Sequence, residues 1–315
     1  MSTKKLISIV SPAYNEEQNI PVLLDETRKV FKELGDAYDF EYILVNDSST
    51  DNTWNVIQEE FTKDSRVRGI SLSRKFGHQL ALTAGLDIAC GDAVIYCDSD
   101  LQHPPVLFKE MIKKWEDGYY VVHTKRTSTE DITFAKKTLS NLYYSFVNAL
   151  SDVHIEKGMA DFKPLDKKVL DQLKKMREVN RFLRGMVVWL GFKSTIVEYV
   201  ARKRLYGVPW YNFWRNLAFA KVGVLSFSIK PLKYIGYFGV LLTMSSGIFV
   251  TFNVFWFFYR KGWYFSPVIS LTVFNAFLIG IVLSCLGIMS LYLSYIYNEV
   301  TERPLYLVAD KINVD

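Results

Sequence analysis

The chain reads as an α/β protein with a mainly parallel sheet, followed by a two-helix transmembrane hairpin at its C-terminal end. Three observations predict this. Short apolar runs alternate with longer helical segments over the first two thirds of the chain, the charges gather in that same part, and two long uncharged stretches lie near the end. A length of 315 residues suits one soluble domain of about 200 residues with a membrane appendage.

The apolar runs are 6–10, 42–45, 67–72, 93–97 and 120–123. Strands alternating with helices imply parallel strands covered by helices, and ligand sites in such sheets lie beyond the carboxyl ends of the strands. Further on, Phe134, Leu139, Leu142, Tyr143, Phe146 and Leu150 recur at three- and four-residue spacing, as on an amphipathic helix. Residues 210–227 are rich in Trp, Tyr and Phe and carry Arg215 and Lys221, a composition that predicts an interfacial helix.

No charged residue occurs from Ile235 to Tyr259. Such a helix is roughly 37 Å long, enough to cross a hydrocarbon core of about 30 Å. A second uncharged stretch covers 265–297, and only Arg260, Lys261, Gly262, Trp263 and Tyr264 separate the two, so a hairpin is expected. The expected organisation is a cytosolic domain at 1–206, an amphipathic juxtamembrane segment at 207–234, spans at 235–259 and 266–297, and a cytosolic tail at 298–315.

The N-terminus runs into the first strand without the apolar segment of a signal peptide, so the soluble part is expected to stay in the cytosol. Three cysteines, Cys90, Cys97 and Cys285, form no C-x-x-C pair and predict neither a disulfide framework nor a zinc site. The formal charge is +5, and 202–233 holds seven Lys or Arg and no Asp or Glu. Beside a membrane span such a run points to anionic lipid rather than nucleic acid.

Each strand end carries candidate chemistry. After the first come Pro12, Tyr14 and Glu16, which offer a stiff exit, a flat ring and an acceptor for base or ribose hydroxyls. After the second, Asp47 stands apart from a Ser/Thr/Asp set suited to capping the next helix. After the fourth comes Asp98-Ser99-Asp100, whose carboxylates would share one side of an extended segment and hold a divalent ion such as Mg²⁺ or Mn²⁺. His78, His103, His123 and His154 show no metal-ligand spacing and read as structural.

In order, P-x-Y-N-E, V-N-D-S-S-x-D, S-R-K-F-G-H-Q, D-S-D-L-Q-H-P, G-M-A-D-F and N-R-F-L-R-G, with two terminal spans, resemble the family 2 glycosyltransferases of GT-A fold. The resemblance is to their polyisoprenyl-phosphate branch, which includes dolichyl-phosphate mannose synthases and bacterial undecaprenyl-phosphate glucosyltransferases. It implies that Pro12, Tyr14, Glu16, Asp47, Asp98, Gln102 and Arg126 hold a nucleotide sugar, with Asp98 and Asp100 on the metal. It further implies Lys136, Ser140 and Arg204 on the acceptor phosphate and Asp161 as the catalytic carboxylate.

The chain departs from the pattern at Lys136, where Arg is usual, at Lys75, where Asn is common, and at Gly207-Val208-Pro209-Trp210-Tyr211, which lacks a usual lysine. The implied activity is inverting sugar transfer, from UDP-glucose by preference, to a lipid such as undecaprenyl phosphate for cell-envelope glycans. The implied location is the inner (plasma) membrane, multi-pass, with the catalytic domain facing the cytoplasm, and homo-oligomerisation stays open. The competing readings are a processive polysaccharide synthase, whose Q-x-x-R-W mark and additional spans are missing here, and a catalytically silent membrane scaffold of the same fold.

Overall fold

Ile7 and Ile9 face one side of the first strand and Ser8 and Val10 the other, and all four are fully buried, as a parallel strand between two helix layers requires. The computed structural model describes residues 4–127, 158–202, 230–260 and 267–314. Among these, strands β1 (Lys5–Ala13), β2 (Tyr38–Asn46), β3 (Val67–Leu72), β4 (Ala93–Tyr96), β5 (Val121–Arg126), β6 (Lys163–Asp166), β7 (Ser194–Tyr199) and β8 (Val308–Ile312) form one sheet. Its order is β7-β5-β6-β4-β1-β2-β3-β8. The β1–β2, β1–β4, β2–β3 and β5–β7 pairs are parallel, whereas β6 runs antiparallel to β4 and β5, and β8 to β3.

Helices α1 (Asn19–Leu34), α2 (Thr53–Lys63), α3 (His78–Ile88), α4 (Phe108–Glu116), α5 (Lys167–Lys175) and α6 (Leu183–Trp189) accompany the sheet. In α1, Ile20, Leu23, Leu24, Val30 and Phe31 are buried at helical spacing and form one apolar face. The α2 start is held by Asp51, whose Oδ1 accepts from the Thr53 amide at 3.0 Å and hydroxyl at 2.6 Å. Helix α3 comes close to the sheet at Gly85, where a Cβ would stand 2.4 Å from Val10 Cγ1 and 2.9 Å from Val45 Cγ2.

Two expectations change. Asp98 and Asp100 do not share an extended segment: β4 stops at Tyr96, and the residues after it enter a turn in which Leu101 takes a left-handed φ of 62°. The end of the segment expected as a tail is an ordered edge strand. Here β8 pairs with β3, Tyr306 donates to Asp87 Oδ2 at 2.8 Å, Trp54 donates to Asp310 at 3.3 Å and Arg68 to the Asn313 carbonyl at 3.1 Å.

The chain divides into two compact units. The sheet and its helices, together with residues from Pro304 onward, form the first; the second holds α7 (Lys230–Arg260) and α8 (Pro267–Val300). Residues Phe277–Val300 of α8 form a stretch of 24 residues that contains a window of mean hydropathy 2.2, long and apolar enough to cross a membrane. Leu241, Ile248 and Phe258 of α7 and Leu271, Leu283 and Leu293 of α8 are exposed. The hydroxyls of Ser245, Thr272 and Ser284 each donate to a carbonyl of the preceding turn, which satisfies them without water.

Candidate active site

The strand ends β1, β2 and β4 deliver three loops that lock to one another. Asn15, at φ 58°, donates from its amide group to Thr50 Oγ1 at 3.1 Å and accepts from the Thr50 amide at 2.8 Å. The Glu16 amide donates to Thr53 Oγ1 at 2.9 Å, and Ser99 Oγ donates to the carbonyl of buried Pro12 at 2.8 Å. Glu16 is itself buried and accepts from the Asn19 side chain at 2.5 Å. The ammonium of Lys75 lies over the Tyr14 ring, 3.1 Å from its centroid.

Asp47 clamps the loop ahead of α3. Its two oxygens accept from the amides of Phe76 and Gly77 at 2.7 and 2.9 Å. Burial pushes its carboxyl up, and those two donors hold it back.

Asp98 sits between two histidines. Its Oδ1 lies 2.7 Å from His78 Nε2, and its backbone amide donates to His103 Nδ1 at 3.0 Å. His103 is stacked on Phe162 at 4.8 Å, which fixes the ring. Burial alone would lower the His78 pKa, but the Asp98 charge and hydrogen bond outweigh it and raise it to about 9. Burial likewise opposes ionisation of Asp98, and His78 and His103 overcome it, so its pKa falls below the usual carboxylate value. Asp100 Oδ1 accepts from the Gln102 amide at 3.1 Å.

Asp161 is held differently. Arg184 approaches both its oxygens, Nε to Oδ1 at 3.2 Å and Nη2 to Oδ2 at 3.1 Å. Gln79 donates to Oδ2 at 3.4 Å while its own carbonyl oxygen accepts from the Leu183 amide at 3.0 Å. Burial raises the Asp161 pKa, yet the charges of Arg184, Lys163 and His78 together bring it well below the ordinary carboxylate range. The first two residues of α3, His78 and Gln79, therefore each contact one of the site's carboxylates, Asp98 and Asp161.

Arg126 ends β5; its amide donates to the Gly158 carbonyl at 2.9 Å, and its Nε is buried with no hydrogen-bond partner among the described residues. Lys136, Ser140 and Arg204, the expected acceptor-phosphate group, lie outside the described residues, as do His154 and the helices expected at 131–149 and 210–227. His78, Gln79 and Arg184 received no functional role from the sequence. Their only signal was membership of the F-G-H-Q and F-L-R-G motifs.

Among the described residues no group of three or more His, Cys, Asp or Glu is arranged to hold a metal ion by itself. The donor set is two carboxylates in one turn, which fits an ion of the Mg²⁺ type that takes its other ligands from water and phosphate.

A mostly parallel α/β sheet with an Asp-x-Asp turn at the end of a central strand, and a third carboxylate, Asp161, tied through Gln79 to the same helix start that binds Asp98, fits a glycosyltransferase of GT-A fold. The chain belongs to glycosyl transferase family 2, whose model matches residues 8–174. It is 39% identical to an uncharacterized glycosyltransferase, YkcC, of Bacillus subtilis over 100% of this chain and 97% of the relative. It is 34% identical to the bactoprenol glucosyl transferase of Shigella phage SfII over 96% of this chain and 97% of the relative. A glucosyl-3-phosphoglycerate synthase from Mycobacterium tuberculosis, solved with Mn²⁺, UDP and phosphoglyceric acid, overlaps 70% of this chain and 76% of its own at 18% identity, with a TM-score of 0.47.

Proposed function

We propose that the protein transfers a hexose from a UDP-sugar, UDP-glucose by preference, to a polyprenyl phosphate such as undecaprenyl phosphate, with inversion, at the cytoplasmic face of the inner (plasma) membrane. One observation carries the lipid acceptor: an apolar helix pair is inserted into the chain ahead of the sheet's last strand. The near full-length match to a bactoprenol glucosyl transferase supports the same acceptor.

Connectivity favours a hairpin. The chain leaves the sheet unit before α7 and rejoins it as β8, so membrane crossings between those points must be even in number. With 31 and 34 residues, α7 and α8 are roughly 46 and 51 Å long, each sufficient for one crossing. The organisation expected from sequence, a catalytic domain to 206, a juxtamembrane segment at 207–234 and spans at 235–259 and 266–297, is retained in this reading.

In the reaction an oxygen of the acceptor phosphate forms a bond to the anomeric carbon while the bond from that carbon to the nucleoside diphosphate breaks, inverting the centre. A phosphate monoester has its second pKa near 6 and is largely ionised at neutral pH. Asp161, with its carboxyl held well below the ordinary range, orients the acceptor rather than acting as a strong base. Asp98 and Asp100 would hold a divalent ion, which when bound neutralises charge on the departing diphosphate. Pro12, Tyr14, Glu16, Asp47, Gln102 and Arg126 serve the nucleotide sugar, and Lys136, Ser140 and Arg204 the acceptor phosphate.

The test uses membranes containing the full chain, undecaprenyl phosphate, and UDP-glucose, UDP-N-acetylglucosamine or GDP-mannose, with Mg²⁺ or Mn²⁺. A hexosyl-phosphoryl lipid identified by mass, formed with UDP-glucose and dependent on the lipid phosphate, supports the proposal. Donor turnover without any lipid product overturns it.

A further inference from the structure

After α8 the chain returns to the sheet unit through Pro304, and its next residues bind one stretch of that unit at two points. Leu305 is buried. The Tyr306 hydroxyl donates to Asp87 Oδ2 at 2.8 Å, and the Leu307 carbonyl accepts from the Ser73 amide at 2.9 Å. Two adjacent residues therefore bracket 73–87, the loop after β3 together with nearly all of α3.

That stretch carries much of the candidate site. The Lys75 ammonium lies over the Tyr14 ring, and the Phe76 and Gly77 amides donate to Asp47. His78 Nε2 lies 2.7 Å from Asp98 Oδ1, and Gln79 donates to Asp161 Oδ2. Five consecutive positions, 75–79, thus touch four site residues on other elements.

The packing of α3 makes its far end matter to its start. The helix presses on the sheet at Gly85, where a Cβ would stand 2.4 Å from Val10 Cγ1. Asp87 lies two residues beyond that contact and His78 seven before it, arms of about 3 Å and 10 Å. A tilt that shifts Asp87 slightly therefore moves the helix start about three times as far, since a close-packed interior transmits strain. Arg177, just after α5, also holds Asp87, its Nη1 lying 3.0 and 2.9 Å from the two oxygens. Loss of the Tyr306 hydroxyl would remove the hold from the returning chain and leave the Asp87 charge paired.

We infer that Tyr306 is a positioning residue for the donor site: with the Leu307 carbonyl it straps 73–87 to the sheet, and so sets the amides and the ammonium that fix Asp47 and Tyr14. This rests on the donor-side role proposed for Tyr14 and Asp47. Nucleotide binding then depends on a segment that follows the apolar helix pair in the chain, more than 200 residues after the strand ends that form the site.

The experiment uses the full chain in lipid nanodiscs, with Tyr306→Phe, Tyr306→Ala, Asp47→Ala and Trp54→Phe. Trp54 bonds Asp310 of the same returning segment at 3.3 Å but does not belong to 73–87, so its variant loosens β8 without touching the strap. The readouts are UDP binding with Mg²⁺, the KM for UDP-glucose and for undecaprenyl phosphate, and the midpoint of thermal unfolding. Tyr306→Phe should weaken UDP binding and raise the KM for UDP-glucose about threefold to tenfold, the range spanned by one hydrogen bond. It should leave the KM for undecaprenyl phosphate within about twofold, because Lys136, Ser140 and Arg204 lie outside the strapped stretch. Trp54→Phe should lower the midpoint and leave UDP binding within about twofold.

Native UDP binding by Tyr306→Phe, beside weakened binding by Asp47→Ala, overturns the inference. So does equal weakening by Trp54→Phe, which would trace the effect to general loss of stability. If Asp47→Ala binds UDP as the native chain does, the donor-side reading fails and this inference falls with it. If Tyr306→Ala does not fold, Tyr306→Phe, which keeps the ring and loses only the hydroxyl, decides the matter.

Discussion

His78 Nε2 lies 2.7 Å from Oδ1 of Asp98, so the first residue of α3 and the first carboxylate after β4 are joined as an ion pair. With its pKa raised to about 9, His78 is protonated at neutral pH and turns one Asp98 oxygen toward itself. The second carboxylate, Asp100, uses one oxygen on the Gln102 amide and belongs to the same turn. The two aspartates therefore differ in their surroundings, one held by an imidazolium and the other by backbone.

Asp100→Ala should abolish the Mg²⁺-dependent part of donor binding, since Asp98 alone, already engaged by His78, leaves the ion with one protein carboxylate. Titrating UDP-glucose with and without Mg²⁺ measures this. Equal metal enhancement in the variant and the native chain would show that the Asp98–Asp100 turn does not hold the ion.

Asp64 joins α1, the end of α2 and the start of β3. Its carboxylate accepts from Arg28 at 3.0 Å and from Arg66 at 2.9 Å. Hydrogen bonding from Arg66 is the largest cause of a pKa lowered to about 2, with burial opposing it and Arg28 reinforcing it. Because the folded value lies below an unfolded value near 3.9, this contribution is complete above about pH 4 and is lost as pH falls through 2. Asp64→Asn should cost about 1–2 kcal/mol at pH 7 and flatten the acid limb of the stability curve. Urea unfolding at pH 7 and pH 3 decides it: an equal loss at both values contradicts the assignment.

Gly85→Ala should destabilise the sheet unit by about 1–3 kcal/mol, because the added methyl group meets Val10 and Val45 on a tightly packed face. Thermal unfolding reports the loss. Pairing the change with Val10→Ala should recover part of it, and no recovery would place the strain elsewhere.

Deleting 304–315 removes β8 and leaves the β3 edge unpaired. The expected result is a lower unfolding midpoint and self-association on size-exclusion chromatography. An unchanged midpoint with a single monodisperse peak would show that the strand contributes nothing to the sheet.

How much was legible in the sequence follows from the physics of each element. Strands β1 to β5 announce themselves through dense apolar runs, because strands covered on both faces need them. Strand β6 was hidden by its own residues: Lys163, Pro164 and Asp166 among four positions do not read as a strand. Strand β8, exposed over most of its length, lacks an apolar pattern for the opposite reason, being an edge.

At the site, Asp47, Asp98, Asp100 and Asp161 stand out as carboxylates at strand ends or in motifs. Their partners do not, since Asp47 bonds to amides 29 and 30 residues away and Asp161 to an arginine 23 residues on. Such contacts are made by the turn geometry, which motif spacing alone does not describe.

The pairing of β8 with β3 also orders events during synthesis. Arg68 and the Asn313 carbonyl it binds are 245 residues apart, a distance that takes roughly 12–50 s to translate. Throughout that interval the nascent sheet has β3 as a bare edge, open to aggregation or to chaperones. It closes only after α7 and α8 have left the ribosome, so the final step of folding in the sheet waits for the apolar helix pair.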